Sequence, residues 1–498
     1  MASIDAETKA VEKINDTSAT SAPVSDSENG ASSPEIMAAS DIYIDPVEEK
    51  KALRKFDMIV LPQAFIFILL NYLDRSNIGN AKVFGFATDL NLKGNQFGNI
   101  STLFYVPYIL LETPWVMAVK YYGPNKVLAV ALICWSIVTI STGFIHTYGQ
   151  AVAVRMLLGV CEAGVAPGFA FIFSTIWDRK DTAKRVALIY FANVMSGAFG
   201  GLFAYGIQSM GARRGIAAWR WLFIIEGAVS LFVCGGCWFS FPNSPENAWF
   251  LNAREKEIMA LRKRRDVAYK GDDEFSWKWA KLACTDPFIY AASLSFFCSS
   301  VAIFGFGTFL PTIIKGLGFN DLQANYLTIP VYMLGGLNLC VCAYFSDKTQ
   351  NRGIFLFTMP IPVIVGYIIA AASPVPGVGY FGMFICCCGI YTFNALILTW
   401  VTINLQPDYK RSVGVPFFVS LGNLSGLVAS QLYPSSQAPR YVMGNAVSAG
   451  METLAVIIVV GAWWILRRRN QLKEKLIAEG VTDNGLEGDM ALDFKYAI

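Results

Sequence analysis

Two carboxylates and two guanidiniums stand in stretches apolar enough to cross a membrane. Asp74 and Arg75 are adjacent within Asn71-Tyr72-Leu73-Asp74-Arg75-Ser76-Asn77-Ile78-Gly79-Asn80, and Arg155 and Glu162 lie in a later apolar run. An ionisable side chain at the bilayer centre costs on the order of 2.5–3.5 kcal/mol on insertion scales, which makes it a functional candidate by default. Burial favours the neutral form of a carboxyl, and a nearby guanidinium favours its anion, so such an acid can be poised to gain and lose a proton. Arginine stays charged and presents a planar fork that matches a carboxylate through two parallel hydrogen bonds. An anion that occupies the arginine removes the acid's counter-charge, which couples anion binding to proton binding. This is the chemistry of a proton-coupled anion carrier. The plainer alternative is that the charges neutralise one another and fix helix packing.

The elements that must position these groups are long apolar helices. The chain of 498 residues is 54% hydrophobic and only 15% charged, with a mean hydropathy of +0.44, whereas soluble chains carry about 25% charged residues. A spanning helix needs roughly 20 apolar residues. Runs at 56–85, 97–118, 127–145, 149–176, 186–209 and 219–241, then 287–310, 323–345, 354–372, 378–404, 412–432 and 445–466, meet that need. They predict an all-α membrane protein of twelve transmembrane helices in two pseudo-symmetric six-helix bundles, with substrate at the bundle interface near the midplane.

Arg155 and Glu162 are almost two turns apart, so they share a helix face about 10 Å apart along the axis. Counted from the outer helix ends, Glu162 and Asp74 fall at similar depths, and the two pairs can meet inside one bundle. The intramembrane charges read from the runs are Asp74, Arg75, Glu112, Arg155, Glu162, Arg220 and Glu226, all in the first six. Glu112, two before Pro114, reads as a site edge or a packing acid. Arg220, between Trp219 and Trp221, reads as an interfacial anchor, and Glu226, six residues on, does not share its face. In the second half Tyr391, Asn394, Trp400 and Asn404 add polar and aromatic groups without charge. Asn394 can hydrogen-bond a polar substrate or equally a local backbone carbonyl. Gly164 with Gly168, and Gly197 with Gly201, have the spacing of close helix approach.

Other chemistries find little support. His146 is the only histidine and most of the 11 cysteines sit inside apolar runs, so no metal site, haem site or catalytic dyad is expected and no cofactor is called for. A net charge of +3, scattered along the chain, excludes a nucleic-acid partner as the organising function. Residues 1–55 read as a disordered cytoplasmic tail without a cleavable signal. Domains follow as 56–241, a cytoplasmic central loop at 242–286, 287–466, and a cytoplasmic tail at 467–498. The central loop carries an amphipathic stretch, Asn247 to Val267, whose basic residues suit anionic lipid at the inner surface.

Short-loop Lys and Arg residues set the orientation. Lys120 and Lys126, Arg179, Lys180, Lys184 and Arg185, Lys348 and Arg352, Lys410 and Arg411, and Arg467 to Arg469 mark one side. Both termini are therefore expected in the cytoplasm. The loop from Val119 to Lys126 has a counterpart at Phe345 to Arg352, an echo of one half in the other.

Several of these stretches together carry a resemblance: Tyr72 to Ala81, Phe104-Tyr105-Val106-Pro107-Tyr108 leading to Glu112-Thr113-Pro114, Arg155 to Gly164 with Pro167-Gly168, and Trp219-Arg220-Trp221-Leu222-Phe223 with Glu226-Gly227. Over residues 55 to 475 the chain resembles the major facilitator superfamily. More narrowly it resembles the anion:cation symporter family and its fungal allantoate-permease-like branch, which includes nicotinate, pantothenate and biotin permeases. The resemblance implies alternating access, with Asp74 and Glu162 as proton-coupling acids and Arg75 and Arg155 as substrate-binding groups. Tyr72, Tyr108 and Asn394 match pocket-lining positions. One departure is the superfamily loop motif after the second run, where Lys120 replaces the aspartate that Asp347 keeps in the second half. The expected partners are a small organic carboxylate, protons and the lipid bilayer, and the expected membrane is the plasma membrane. Two rival readings remain: efflux or organellar transport of a secondary metabolite, and a substrate-sensing receptor that binds without transport.

Overall fold

A computed structural model describes residues 43–177, 179–242, 244–270, 277–349, 352–406, 408–486 and 488–498. The first 42 residues, most of the expected tail, lie outside the described residues, as do the side chains of Arg179, Lys180, Lys184 and Asp347. The described residues form helices and no strand. Ten helices are long and apolar enough to cross a membrane by length and composition, and α6 and α11 below complete the twelve.

The first six are α1 (Pro46–Val83), α2 (Gln96–Tyr122), α3 (Pro124–Thr142), α4 (Tyr148–Glu162 and Val165–Ile176), α5 (Arg179–Met210) and α6 (Ala218–Ser240). The second six are α7 (Pro287–Gly316), α8 (Asp321–Tyr326 and Thr328–Thr349), α9 (Arg352–Thr358 and Pro360–Ala372), α10 (Pro376–Asn404), α11 (Asp408–Asn423 and Ser425–Ala429) and α12 (Val442–Ala478). Helix α1 begins well before its apolar run because Asp45 caps it, accepting from the Val47 amide, with proline at the first position and Glu48 and Glu49 in the first turn. That combination opens a helix regardless of hydropathy.

Packing repeats between the halves. Helix α1 lies on α5, α2 on α4 and α3 on α6; likewise α7 lies on α11, α8 on α10 and α9 on α12. Across the halves, α1 meets α7, α5 meets α8 and α2 meets α11. These cross contacts run from mid-helix to the end opposite the described chain termini. Tyr105 lies against Phe304 at 5.4 Å and Phe97 against Phe309 at 6.0 Å between ring centroids. Beyond them, Gln431 donates to Asn99 and Thr102 at 3.1 and 2.9 Å, and Asn325 donates to Gln208 at 3.2 Å. At Gly79 the halves approach so closely that any Cβ would collide with the Thr308 carbonyl of α7. Gly201 similarly admits Thr328 of α8.

At the termini end the halves differ. The central helix Ala253–Lys270 docks through Ile258 and Met259. Its Arg254, Arg262 and Arg265 meet Glu48 or Glu49 at the start of α1, and Lys263 meets Glu246. Basic residues that the sequence assigns to lipid thus find carboxylates of the chain itself. In the second half a buried ion cluster joins three helices. Lys410 contacts Asp286 at 2.6 Å and Asp489 at 2.8 Å, and Arg469 contacts Asp286 at 3.0 Å. Burial pushes the Asp286 carboxyl up, but Arg469 and Lys410 outweigh it and hold it below the usual carboxylate range. Residues 488–498 fold back over this cluster. Lys473 donates to the carbonyls of Asp489 and Phe494, Trp400 donates to the Ala497 carbonyl, and Tyr496 is buried.

Candidate functional site

Helix geometry separates the neighbours Asp74 and Arg75. Successive residues on a helix point about 100° apart, so Asp74 and Arg75 leave α1 toward different partners. Arg75 points at α2 and α4. Its guanidinium lies over the rings of Tyr108 at 4.4 Å, Tyr72 at 5.1 Å and Phe104 at 5.2 Å, and its Nε stands 3.7 Å from Glu162 Oε2. Asp74 instead has Glu226, Trp135 and Thr139 of α6 and α3 as its near neighbours.

Glu162 ends the first segment of α4, and the helix resumes at Val165. The break has a local cause: Pro167 lacks an amide to donate to Ala163, and its ring crowds that carbonyl. Glu162 therefore sits at a discontinuity and not in the middle of a regular run. Gly159, one turn earlier, lets the α2 backbone at Phe104 approach. The continuous, proline-bearing helix α2 and the broken helix α4 thus converge beside Arg75.

Arg155 does not pair with Glu162 on its own helix. Its Nη1 reaches the Asp74 backbone carbonyl at 3.5 Å, its Cζ lies 5.6 Å from the Phe223 ring centroid, and Glu162, Asp74 and Glu226 are all within electrostatic reach. The pairing is therefore between helices, Arg75 with Glu162, and Arg155 stands among three acids.

The cluster is buried and loosely bonded within the protein. Asp74, Arg155 and Glu162 are 1%, 3% and 0% exposed, and Arg75 is 8% exposed. Both oxygens of Asp74 and of Glu162, Nε and Nη2 of Arg75 and Nη2 of Arg155 make no hydrogen bond within the described protein. Buried polar groups are normally bonded, so four charged side chains in this state are exceptional.

Two carboxylates need a fuller account than their sequence setting suggests. Glu226 accepts from Asn77 of α1, which in turn accepts from Asn80 at 2.9 Å, and so belongs to the Asp74 side of the cluster. Its separation from Arg220 hid this role; the signal was an acid in an apolar run with no cation on its own face. Glu452 of α12 is fully buried and corrects the statement that intramembrane charge is confined to the first six runs. Ser299 donates to it at 3.2 Å, and Asn394 donates to Ser299 at 2.9 Å and to the Ile390 carbonyl at 2.9 Å, while Ser300 donates to Asn394 at 3.1 Å. Asn394 is thus bonded within the second half, apart from the Arg75 group, whereas Tyr72 and Tyr108 flank Arg75 directly. Glu112 takes a hydrogen bond from Asn423 of α11 at 3.1 Å, across the seam between the halves. Arg220 lies 4.4 Å from the Trp219 ring centroid and donates to the Gly143 carbonyl.

Known proteins place this architecture. The family model described as Major Facilitator Superfamily matches residues 64–430. An uncharacterized transporter of Schizosaccharomyces pombe is 38% identical over 459 residues, covering 92% of either chain. The high-affinity nicotinic acid transporter of Saccharomyces cerevisiae is 31% identical over 429 residues, which is 86% of this chain and 80% of the other. Among solved structures, the partially occluded inward open form of the Escherichia coli xylose transporter aligns with a TM-score of 0.64 at 14% identity, covering 80% of this chain and 96% of that one, a likeness of fold alone. A chain with twelve apolar helices, a repeated packing scheme and relatives that are transporters and not enzymes belongs to the major facilitator superfamily and is an integral, multi-pass membrane transporter.

Proposed function

We propose that the protein takes up a small organic carboxylate together with protons, by alternating access between the bodies formed by residues 56–241 and 287–466. The observation that carries this reading is the Arg75 group: a guanidinium steered by three aromatic rings, near a carboxylate that it does not hydrogen-bond. A ring-bearing carboxylate suits both parts, its anion on the fork and its ring among Tyr72, Phe104 and Tyr108. The nicotinic acid transporter relative points to the same substrate class.

In this mechanism the arriving carboxylate takes the Arg75 fork and displaces Glu162 as its counter-ion. Glu162, buried and deprived of its cation, takes a proton. Arg155 links that event to the second acid group, because it stands among Glu162, Asp74 and Glu226. Neutralised charges cost less to carry through the closed intermediate, so the bundles rock when anion and proton are both aboard. The distribution of Lys and Arg supports cytoplasmic termini, and we assign the protein to the plasma membrane. With that orientation the seam is closed on the outer side.

The test is uptake of a panel of labelled carboxylates, nicotinate first, at several external pH values in cells lacking their own carriers. Saturable uptake that rises as external pH falls is the expected result. No accumulation of any carboxylate at acid pH would overturn the reading. Retained binding without uptake would favour the sensor alternative.

A further inference from the structure

Lys82 is a half-buried cation at the seam that the coupling cluster does not use. It lies seven residues beyond Arg75, so it falls on nearly the same face of α1, about 10 Å farther along the axis. Gly79 lies between them on that face, against the Thr308 carbonyl. The Lys82 ammonium is caged by the Phe97 ring at 4.6 Å and the Phe309 ring at 5.1 Å, and it donates to the Tyr433 carbonyl at 3.3 Å. Among the described residues no carboxylate stands within ion-pair distance of it.

The cage draws on both halves, Phe97 from the first and Phe309 and Tyr433 from the second. It holds the ammonium through ring quadrupoles and a carbonyl, neither of which neutralises it. Beside it a cleft of about 320 Å³ is lined by Lys82, Thr88, Gln208, Lys315 and Asp321 among others. Lys315 is neutralised by Asp321 at 2.7 Å. Lys82 is therefore the cation of this lining that keeps its charge free for an anion. When the halves part at this end, Phe309 and Tyr433 leave with the second half and the ammonium faces the opening.

We propose that Lys82 is an outer anion site, a first docking point for the substrate carboxylate two turns above Arg75. It is open when the bundles part on that side and held by its aromatic cage when they close. The proposal rests on the reading of the protein as an organic-anion carrier and adds a second station to that path. Gly79 fits between the stations, because a side chain there would obstruct both the closed seam and the descending anion.

The test compares wild type, K82R, K82Q and K82M in uptake of labelled nicotinate, or of the first panel carboxylate that wild type carries, at low and high ionic strength. Rates are normalised to protein at the cell surface. Loss of the charge should raise the uptake KM about five-fold at low ionic strength with maximal rate within about two-fold. It should also remove most of the salt dependence of KM, since screening then has less to act on. K82R should stay near wild type. Wild-type KM and salt dependence in both K82Q and K82M would overturn the outer site while leaving carrier function intact. A wild type that carries no carboxylate would instead overturn the underlying reading, and this proposal with it.

Discussion

Two buried charge clusters occupy this molecule, and they are built in opposite ways. In the first half, Arg75, Glu162, Asp74 and Arg155 sit together with a single ion pair at 3.7 Å and many unbonded polar atoms. At the termini end of the second half, Lys410, Asp286, Asp489 and Arg469 are joined at 2.6 to 3.0 Å. Burying ions is costly unless close geometry and added hydrogen bonds compensate. The second cluster meets that condition and clamps α7, α11 and α12 to the final residues of the chain. The first does not, and loose bonding is what a site needs if its partners must change during a cycle. The difference separates a part that has to exchange partners from a part that has to stay shut.

The largest effect expected from breaking the comparison lies at Arg75. Arg75→Lys keeps the charge and loses the fork, so uptake efficiency should fall about 100-fold or more, in line with about 2–5 kcal/mol for disrupting a buried charge pair. The melting midpoint of the solubilised protein should move little, because the fork holds few bonds in the resting structure. Uptake kinetics beside a thermal scan separate the two; a large stability loss with normal KM in the surviving protein would make this cluster a clamp as well. Asp74→Asn and Glu162→Gln should abolish proton-driven accumulation while leaving some substrate exchange, since exchange returns the carrier loaded. Unchanged accumulation in both would remove the acids from coupling.

Lys410→Met should behave in the reverse sense. It strands Asp489 beneath the folded-back terminus and leaves Asp286 with Arg469 alone, and removing one partner of a buried pair costs about 3–5 kcal/mol. Faster proteolysis of residues 488–498 and a lower melting midpoint are expected, with KM unchanged. The pH dependence sharpens the contrast. The Asp286 carboxyl is held below its ordinary value of 3.8, so its stabilisation is present above the unfolded value and lost only as pH falls through the lower folded one. Burial pushes the Asp489 carboxyl up against the pull of Lys410, so its contribution is instead largest in acid and declines as pH rises. Asp489→Asn should therefore be milder than Lys410→Met near neutral pH. Equal losses in the two variants would contradict this division.

Much of the fold was legible because hydropathy reports length directly: each apolar run corresponds to a helix, and the loop echo at Lys120 and Lys348 accompanies a packing scheme that repeats. Helix breaks were less legible. Pro167, Pro330 and Pro360 mark interruptions in α4, α8 and α9, yet Pro62 and Pro311 sit inside unbroken helices, so proline alone does not decide. For the candidate site, the residues were readable but their pairing was not. Seven-residue spacing placed Arg155 and Glu162 on one face, whereas the nearer partner of Glu162 comes from another helix. Glu226 was read as an intramembrane charge but not joined to the site, and Glu452 escaped notice, because a sequence reading looks for charge pairs and these acids are matched with Asn77 and Ser299. The terminal clamp was invisible because its partners lie 79 to 183 residues apart and outside the apolar pattern.

The smallest effect, and the one that probes how Arg75 is held, is at Tyr108. The guanidinium lies 4.4 Å from the centre of its ring, closer than to Tyr72 or Phe104. A cation over an aromatic face contributes about 0.5–2 kcal/mol depending on desolvation. The guanidinium stands over the face of the ring, which makes the ring, more than the hydroxyl, the steering element. Tyr108→Phe should then leave KM for the carried carboxylate within about two-fold, whereas Tyr108→Leu should raise it roughly five-fold, the scale of 1 kcal/mol. If Phe and Leu weaken uptake equally, the hydroxyl contacts substrate and the aromatic cradle is a packing feature. If only Leu does, the fork is kept open by rings that hold its charge without occupying its donors, which is the property that the tightly bonded clamp in the other half lacks.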